Sequence, residues 1–374
     1  MLEENDLDAA VSEGIITAEQ MEKLRAFAGS RRLAADRVDD ERFRFMRGFN
    51  DFFFAVGIVL FAAGMIYFAG FDLIRNLVAA AIIWGLAEFL VGRMRLVLPG
   101  ILLAFLFSFF VFRSTQPNWA LVAHFTGLPF HPAVRSSADV NWIVGFTDPI
   151  VVAGRALGAT LAAAVFYLRF RLPFALLLIA GGVVLFVAMI VSSILLPGPM
   201  THSLMLLVCG LAVFAAAMAY DLSDRMRLTR SSDCAFWLHL LAAPLIVHSL
   251  IRLLLPPITP GAPVGAPFGL AMTPSSAITI FVIVACLAAI AILIDRRALL
   301  VSALTYLGVA IGYTLTNAVH ADTGNRPVIF FATVLILGAM VLALGVGWQP
   351  LRRLFLGLFS AGLVSRLPPA GSTA

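Results

Sequence analysis

The feature that most limits this chain is its succession of uncharged apolar blocks, each bounded by a short charged or turn-forming segment. A helix needs about twenty residues to cross the roughly 30 Å of a bilayer's hydrocarbon, and in hydrocarbon every backbone polar group must be satisfied within its own segment. Ten blocks meet that condition, at approximately 52–70, 74–91, 97–112, 150–168, 174–196, 203–220, 234–254, 277–294, 299–318 and 328–346. The expected fold is therefore all-α, a polytopic integral membrane bundle of about ten transmembrane helices. Composition agrees, with 61% hydrophobic and only 13% charged residues, where a soluble domain is about a quarter charged.

The charges that remain carry orientation. The 26 basic residues are 25 Arg and Lys23. If residue 1 lies inside, twenty of them fall in inner segments, including Arg93/Arg95, Arg169/Arg171, Arg225/Arg227/Arg230, Arg296/Arg297 and Arg352/Arg353. Six fall near outer helix ends: Arg75, Arg113, Arg135, Arg155, Arg252 and Arg326. Every inner turn is basic, which is the positive-inside pattern with both termini cytoplasmic. Arginines confined to short turns do not form a phosphate-tracking patch, so the net charge of +5 gives no reason to expect nucleic acid. Cys209, Cys234 and Cys286 lie in or beside apolar blocks without metal or disulfide spacing.

Three regions are expected: 1–49 as a cytoplasmic helical hairpin and linker, 50–349 as the membrane bundle and 350–374 as a cytoplasmic amphipathic tail. The first holds eleven acidic and eight basic residues, the wrong order for a cleaved leader. Thr17-Ala18-Glu19-Gln20 fits a capping box, and Met21, Leu24 and Phe27 follow at helical spacing. Two short helices, about 4–12 and 18–28, are predicted. Of the outer loops, 113–149 has apolar pieces at 119–130 and 141–147 that are too short to span and suit an interfacial or re-entrant path. The segment 255–276 has six prolines and no charge, and is expected to cap the outer face. In the tail, Arg352/Arg353 alternate with Leu354, Phe355, Leu358 and Phe359, as in a helix lying on a surface.

Polar groups inside apolar blocks are the candidates for chemistry. His239 and His248 share the seventh block but lie nine residues apart, half a turn out of phase, so they cannot jointly hold a metal on a straight helix. Arg252 shares the face of His248, and Pro244 between the two histidines should kink the helix. Tyr306, Tyr313 and Asn317 recur on one face of the ninth block and offer a second wall for a cavity opposite the seventh. Arg155 sits about five residues inside the fourth block, where it can snorkel outward or pair with Asp148. Glu88 is close enough to an inner helix end to reach Arg93, Arg95 or the surface. Gly154-x3-Gly158-x3-Ala162 and Gly308-x3-Gly312 mark ridges where helices approach closely.

The candidate cavity-lining set is thus His239, His248, Arg252, Tyr306, Tyr313, Asn317 and Arg155. No catalytic residue, cofactor site or metal site is assigned, because no GxSxG, HExxH, Walker or GxGxxG pattern occurs. The two halves show no matching loop lengths or motifs, which weighs against the inverted repeats of many transporters.

The segment Gly14-Ile15-Ile16-Thr17-Ala18-Glu19-Gln20 ahead of many spans resembles the start of uncharacterised bacterial multi-pass membrane proteins of domain-of-unknown-function type, in which a short helical hairpin precedes the membrane domain. The stretches 236–248 (FWLHLLAAPLIVH) and 347–356 (GWQPLRRLFL) are similar to segments of proteobacterial membrane proteins. That resemblance implies an inner-membrane location and no particular chemistry.

The function expected is a non-enzymatic structural or regulatory role in the membrane. Membrane lipids are the expected partners, together with a protein partner or a second copy bound through the hairpin. Two alternatives remain: transport of a small or amphipathic solute between spans 7 and 9, marked by a polar cavity at mid-depth, and lipid modification, marked by carboxylates near His239. Topology is directly testable. Reporter fusions at Ser114 and Thr259 should read as periplasmic and one at Asp224 as cytoplasmic; a cytoplasmic signal at Thr259 would refute the ten-span arrangement.

Overall fold

Long apolar segments without internal partners for their backbone fold as helices, and the computed structural model shows ten of them in sequence. It describes residues 13–25, 49–70, 72–114, 149–194, 199–224, 229–255, 273–318 and 326–358. The helices are α1 (Phe49–Ala69), α2 (Leu73–Ala87, continued by a π-helical turn Glu88–Arg93), α3 (Val97–Ser114), α4 (Pro149–Phe170) and α5 (Phe174–Ile194). They continue with α6 (Pro199–Ser223), α7 (Arg230–Leu254), α8 (Pro274–Ile294), α9 (Ala298–Ala318) and α10 (Arg326–Leu356). Among the described residues there is no strand, and nine of these helices are long and apolar enough to cross a membrane. The chain is a polytopic helical bundle.

Two compact units are present, Met1–Arg44 with Pro369–Ala374 and Phe45–Pro368. In the first, a helix occupies 18–25. Its capping box has both reciprocal bonds: the Gln20 amide donates to Thr17 Oγ1 at 3.2 Å, and the Thr17 amide donates to Gln20 Oε1 at 2.9 Å. The expected partner helix at 4–12 lies outside the described residues, as do the apolar pieces of 113–149, the proline-rich 256–272 and the chain beyond 358.

In the second unit, successive helices run antiparallel. Gly308 and Gly312 of α9 face Leu337 and Thr333 of α10, so residue numbers fall on one helix as they rise on the other. Three apolar clusters follow the chain. The first joins α1–α5 around Ile83, Leu103, Phe110 and Phe166. A second joins α5–α7 around Val184, Ala217, Leu238 and Ala242. The third joins α7–α10 around Ile251, Ile280, Leu299 and Trp348. Helix α7 belongs to two of the three, and half of its apolar span is buried, as is half of that of α4. The outward surfaces are apolar, with Leu335 and Val346 of α10 74% and 88% exposed, as lipid-facing side chains should be.

Apolar attraction between helices is weak in lipid, so close packing must supply the cohesion. Glycine supplies it at two main places. A Cβ at Gly182 of α5 would collide with Thr160 of α4. One at Gly210 of α6 would meet Ile246 Cγ1 and Leu245 Cβ at 3.0 Å and the Ile246 amide nitrogen at 3.2 Å. Those α7 residues come directly after Pro244, which lies inside a continuous helix. The bare surface of α6 therefore lies against the turn of α7 that the proline reshapes.

Two boundaries extend past the expected blocks and carry polar side chains into the bundle. Helix α6 runs on to Ser223, beyond the apolar block that ends near residue 220, and so carries Asp221 into the bundle. Helix α10 continues through Pro350 to Leu356, so the first turns of the expected surface tail belong to a membrane helix, with Trp348 and Arg352 buried. Packing of these side chains against α8 and α9 overrides the proline.

Replacing Gly210 by Ala should force α6 and α7 apart or shift the α7 backbone, at a cost of about 1–3 kcal/mol. Thermal unfolding in detergent should show it, whereas Gly64→Ala, with nothing within 4 Å of the added carbon, should leave the midpoint unchanged or slightly raised.

Candidate functional site

The even-numbered helices all finish at one end of the bundle, which carries the arginine-rich turns, and there the polar side chains converge. Asp221 lies in the last turn of α6. A carboxylate there opposes the helix dipole and faces apolar neighbours, so it requires cations or donors. His239, two turns into α7, provides one: its Nε2 is 2.8 Å from Asp221 Oδ2. An ionised carboxylate only accepts, so Nε2 carries the hydrogen. The Phe214 ring packs edge-on against the imidazole at 5.3 Å.

The cation comes from the short turn between α8 and α9. Asp295 ends α8 in the left-handed region (φ 58), and the Arg296 amide bonds back to Ala291 O at 2.9 Å. This reversal carries the Arg296 side chain into the bundle. Its Nε donates to Asp221 Oδ1 and Oδ2 at 3.1 and 3.2 Å, and its Nη2 donates to Asp221 Oδ1. Nη2 also donates to the carbonyl and hydroxyl of Ser232 at 3.2 and 3.1 Å. Asp221, His239 and Arg296 are 7%, 0% and 2% exposed, so substrate has no open approach to them.

Asp295 continues the network in the other direction. Its Oδ1 accepts the Trp348 indole N–H at 2.6 Å, and Oδ2 is 3.5 Å from Arg352 Nη1. Arg297 stacks over the Trp348 ring at 5.3 Å. Four elements are thereby tied at one end: α6, α7, the α8–α9 turn and, through Trp348 and Arg352, α10. A side bond closes the α6–α7 turn, where Asp224 Oδ2 accepts from the Thr229 amide and hydroxyl at 2.8 and 2.6 Å.

The residues singled out from the sequence divide into separate places. His239 belongs to this network. His248, on the opposite face of α7, meets Tyr306 of α9 directly, Nδ1 to Oη 2.5 Å, so the two expected walls touch here. Tyr313 packs on the α7–α10 cluster beside Tyr306. The Asn317 amide donates to the Tyr313 carbonyl within α9 at 2.9 Å. Arg252 is half-buried one turn beyond His248. Arg155 is elsewhere, on α4, 2% exposed, with its guanidinium 5.9 Å from the Phe112 ring of α3. It is enclosed by protein and does not snorkel to the surface; Asp148 lies outside the described residues. Glu88 takes neither Arg93 nor Arg95 but pairs with Arg169 of α4, Nη2–Oε2 2.7 Å and Nε–Oε1 2.9 Å. Among the described residues no group of three His, Cys, Asp or Glu comes together to hold a metal ion.

Asp221, Arg296, Asp295, Trp348 and Arg352 were not singled out from the sequence. A signal existed in Asp221-x2-Asp224, two acids one turn apart at the end of an apolar block. Such acids need cations, and the nearest basic turns offer them.

No family model, no curated protein and no solved structure matches this chain.

Removing one partner of a buried pair strands the other. Arg296→Leu should cost about 3–5 kcal/mol, while Arg169→Ala, at a half-exposed pair, should cost at most about 1 kcal/mol. His239→Leu should cost about 1–2 kcal/mol and His239→Gln, which keeps a donor, distinctly less. Unfolding midpoints of the four variants in one detergent check the order; equal losses at Arg296 and Arg169 would refute the network's importance.

Proposed function

We propose that this chain is a multi-pass protein of a bacterial inner membrane, with both termini cytoplasmic, whose role is structural or regulatory and not enzymatic. The observation that carries the proposal is the ionic network at the basic end. It uses the chain's most reactive-looking side chains, an imidazole beside a carboxylate, to join helices. Arg296 saturates that carboxylate, and the group is closed on all sides by α6, α7 and the α8–α9 turn. A general base needs an accessible reacting atom within hydrogen-bond reach, and a buried, doubly held Asp221 has none.

Orientation follows from the arginine-rich end facing the cytoplasm under the positive-inside rule. The transport alternative asks for a polar cavity between α7 and α9, and His248 and Tyr306 fill that interval with a direct bond. A bundle joined at its helix ends by buried ionic contacts suits a protein that acts by contact. The N-terminal unit, with its capped helix at 18–25, is the part that contacts a partner protein or a second copy.

The test is deletion of residues 1–30 from the full chain. Purified in mild detergent, the shortened protein should run as a smaller complex on a native gel than loss of its own mass explains, and the cell's phenotype should match that of a full deletion. Unchanged complex size with unchanged phenotype would overturn the contact role.

A further inference from the structure

The π-helical turn that ends α2 borders a groove of about 540 Å³, lined by Gly85, Glu88, Phe89, Gly92 and Arg93 of α2 and its turn, with Arg169 reaching across from α4. We propose that this groove binds one anionic phospholipid, its phosphate held by Arg93 and Arg169 and an acyl chain running down the outer face of α2.

The chemistry is that of a membrane boundary. Two guanidiniums and one carboxylate leave a net positive charge, which suits a phosphodiester monoanion. Glu88 fixes the Arg169 fork from one side through two bonds, and the Arg169 guanidinium also lies 5.5 Å from the Phe170 ring. The cation is thus positioned before any ligand arrives, yet its side chain stays 55% exposed. The floor is bare because Gly85 carries no side chain and nothing lies within 4 Å of where a Cβ would be.

The groove opens onto a track for a lipid tail. Val78, Ile82, Gly85 and Phe89 repeat at spacings of four, three and four, so they share one helix face, and all four are exposed. Beside Gly85, Trp84 packs into the bundle against Phe107, Phe166 and Phe170 at 5.2, 6.1 and 5.4 Å, which holds α2 on α3 and α4. A π-turn in a membrane helix is uncommon, and such turns often occur at functional sites. Here it places Glu88 and Arg93 on the rim of one groove. Basic pockets between helices at the polar boundary are the recognised form of an anionic-headgroup site. The proposal rests on the chain being a membrane bundle and is independent of which side the basic end faces or of what the N-terminal unit contacts.

The test uses full-length protein in detergent, titrated with phosphatidylglycerol, phosphatidylcholine or inorganic phosphate, with bound lipid counted by native mass spectrometry. Wild type should retain one phosphatidylglycerol in preference to phosphatidylcholine, and inorganic phosphate should not compete at millimolar concentration. Arg93→Gln should weaken retention about five-fold, and Gly85→Leu, which fills the floor, should weaken it at least as much. Arg353→Gln, an exposed arginine of the same end outside the groove, should retain it. Equal loss in Arg353→Gln, equal retention of both lipids, or displacement by inorganic phosphate would overturn the proposal. Native-gel mobility of each variant separates this result from the fate of the N-terminal contact role.

Discussion

The carboxylate of Asp221 is the point on which the second half of the bundle depends. Taking an ionised carboxylate out of water costs several kcal/mol even after relaxation. The fold recovers that cost only by bringing three elements to one place: the end of α6, the first turns of α7 and the turn after α8. An apolar contact could be made in many rotations of these helices. A carboxylate shared between a guanidinium and an imidazole admits far fewer, because both oxygens must find their donors together. In a bundle whose helices otherwise present similar aliphatic surfaces to one another and to lipid, such a group fixes rotation and depth.

Where the charges sit follows from the same cost. Ionisable groups are most expensive at the bilayer centre, and the ionic cluster occupies helix ends and a turn. Deeper in the bundle, cohesion passes to small residues, with Gly182 against Thr160 and Gly210 against the turn after Pro244. At the far end the α7–α9 contact is His248 with Tyr306, a bond that needs no formal charge. The helices are thus aligned by charge at one end, packed by absent side chains in the middle and joined by an imidazole–phenol bond at the other.

Much of the fold was legible in the sequence because the bilayer imposes a length and a polarity that leave few alternatives. All ten helices follow the apolar blocks, and the phase argument for His239 and His248 sends them to different partners on opposite faces of α7. The capping box at Thr17 was readable because it is local, complete within four residues. The network was not readable, because its members lie 75 and 53 residues apart and three of them, Asp295, Arg296 and Arg352, fell in segments read as turn and tail. Arg296 looked like one more orientation charge. Arg352 looked like part of a surface helix, because the tail was read from residue 350 onward, and Trp348 drew no reading of its own. Arg155 entered the cavity set on charge alone, and only the packing of α4 on α3 removes it to another part of the bundle.

The turn at 295–297 connects these observations. Asp295 adopts a left-handed conformation that a non-glycine residue takes at a cost of about 1 kcal/mol, and its carboxylate is held by Trp348 and Arg352 of α10. The next residue, Arg296, holds Asp221 of α6 and Ser232 of α7. Two oppositely directed ionic contacts therefore issue from adjacent residues of one tight turn. Rotating the turn to improve one contact pulls the other out of reach, so the α6–α7 pair and α10 are coupled through a backbone segment three residues long. Loosening α10 at Arg352 should for this reason also release Asp221, over a distance that no direct contact spans.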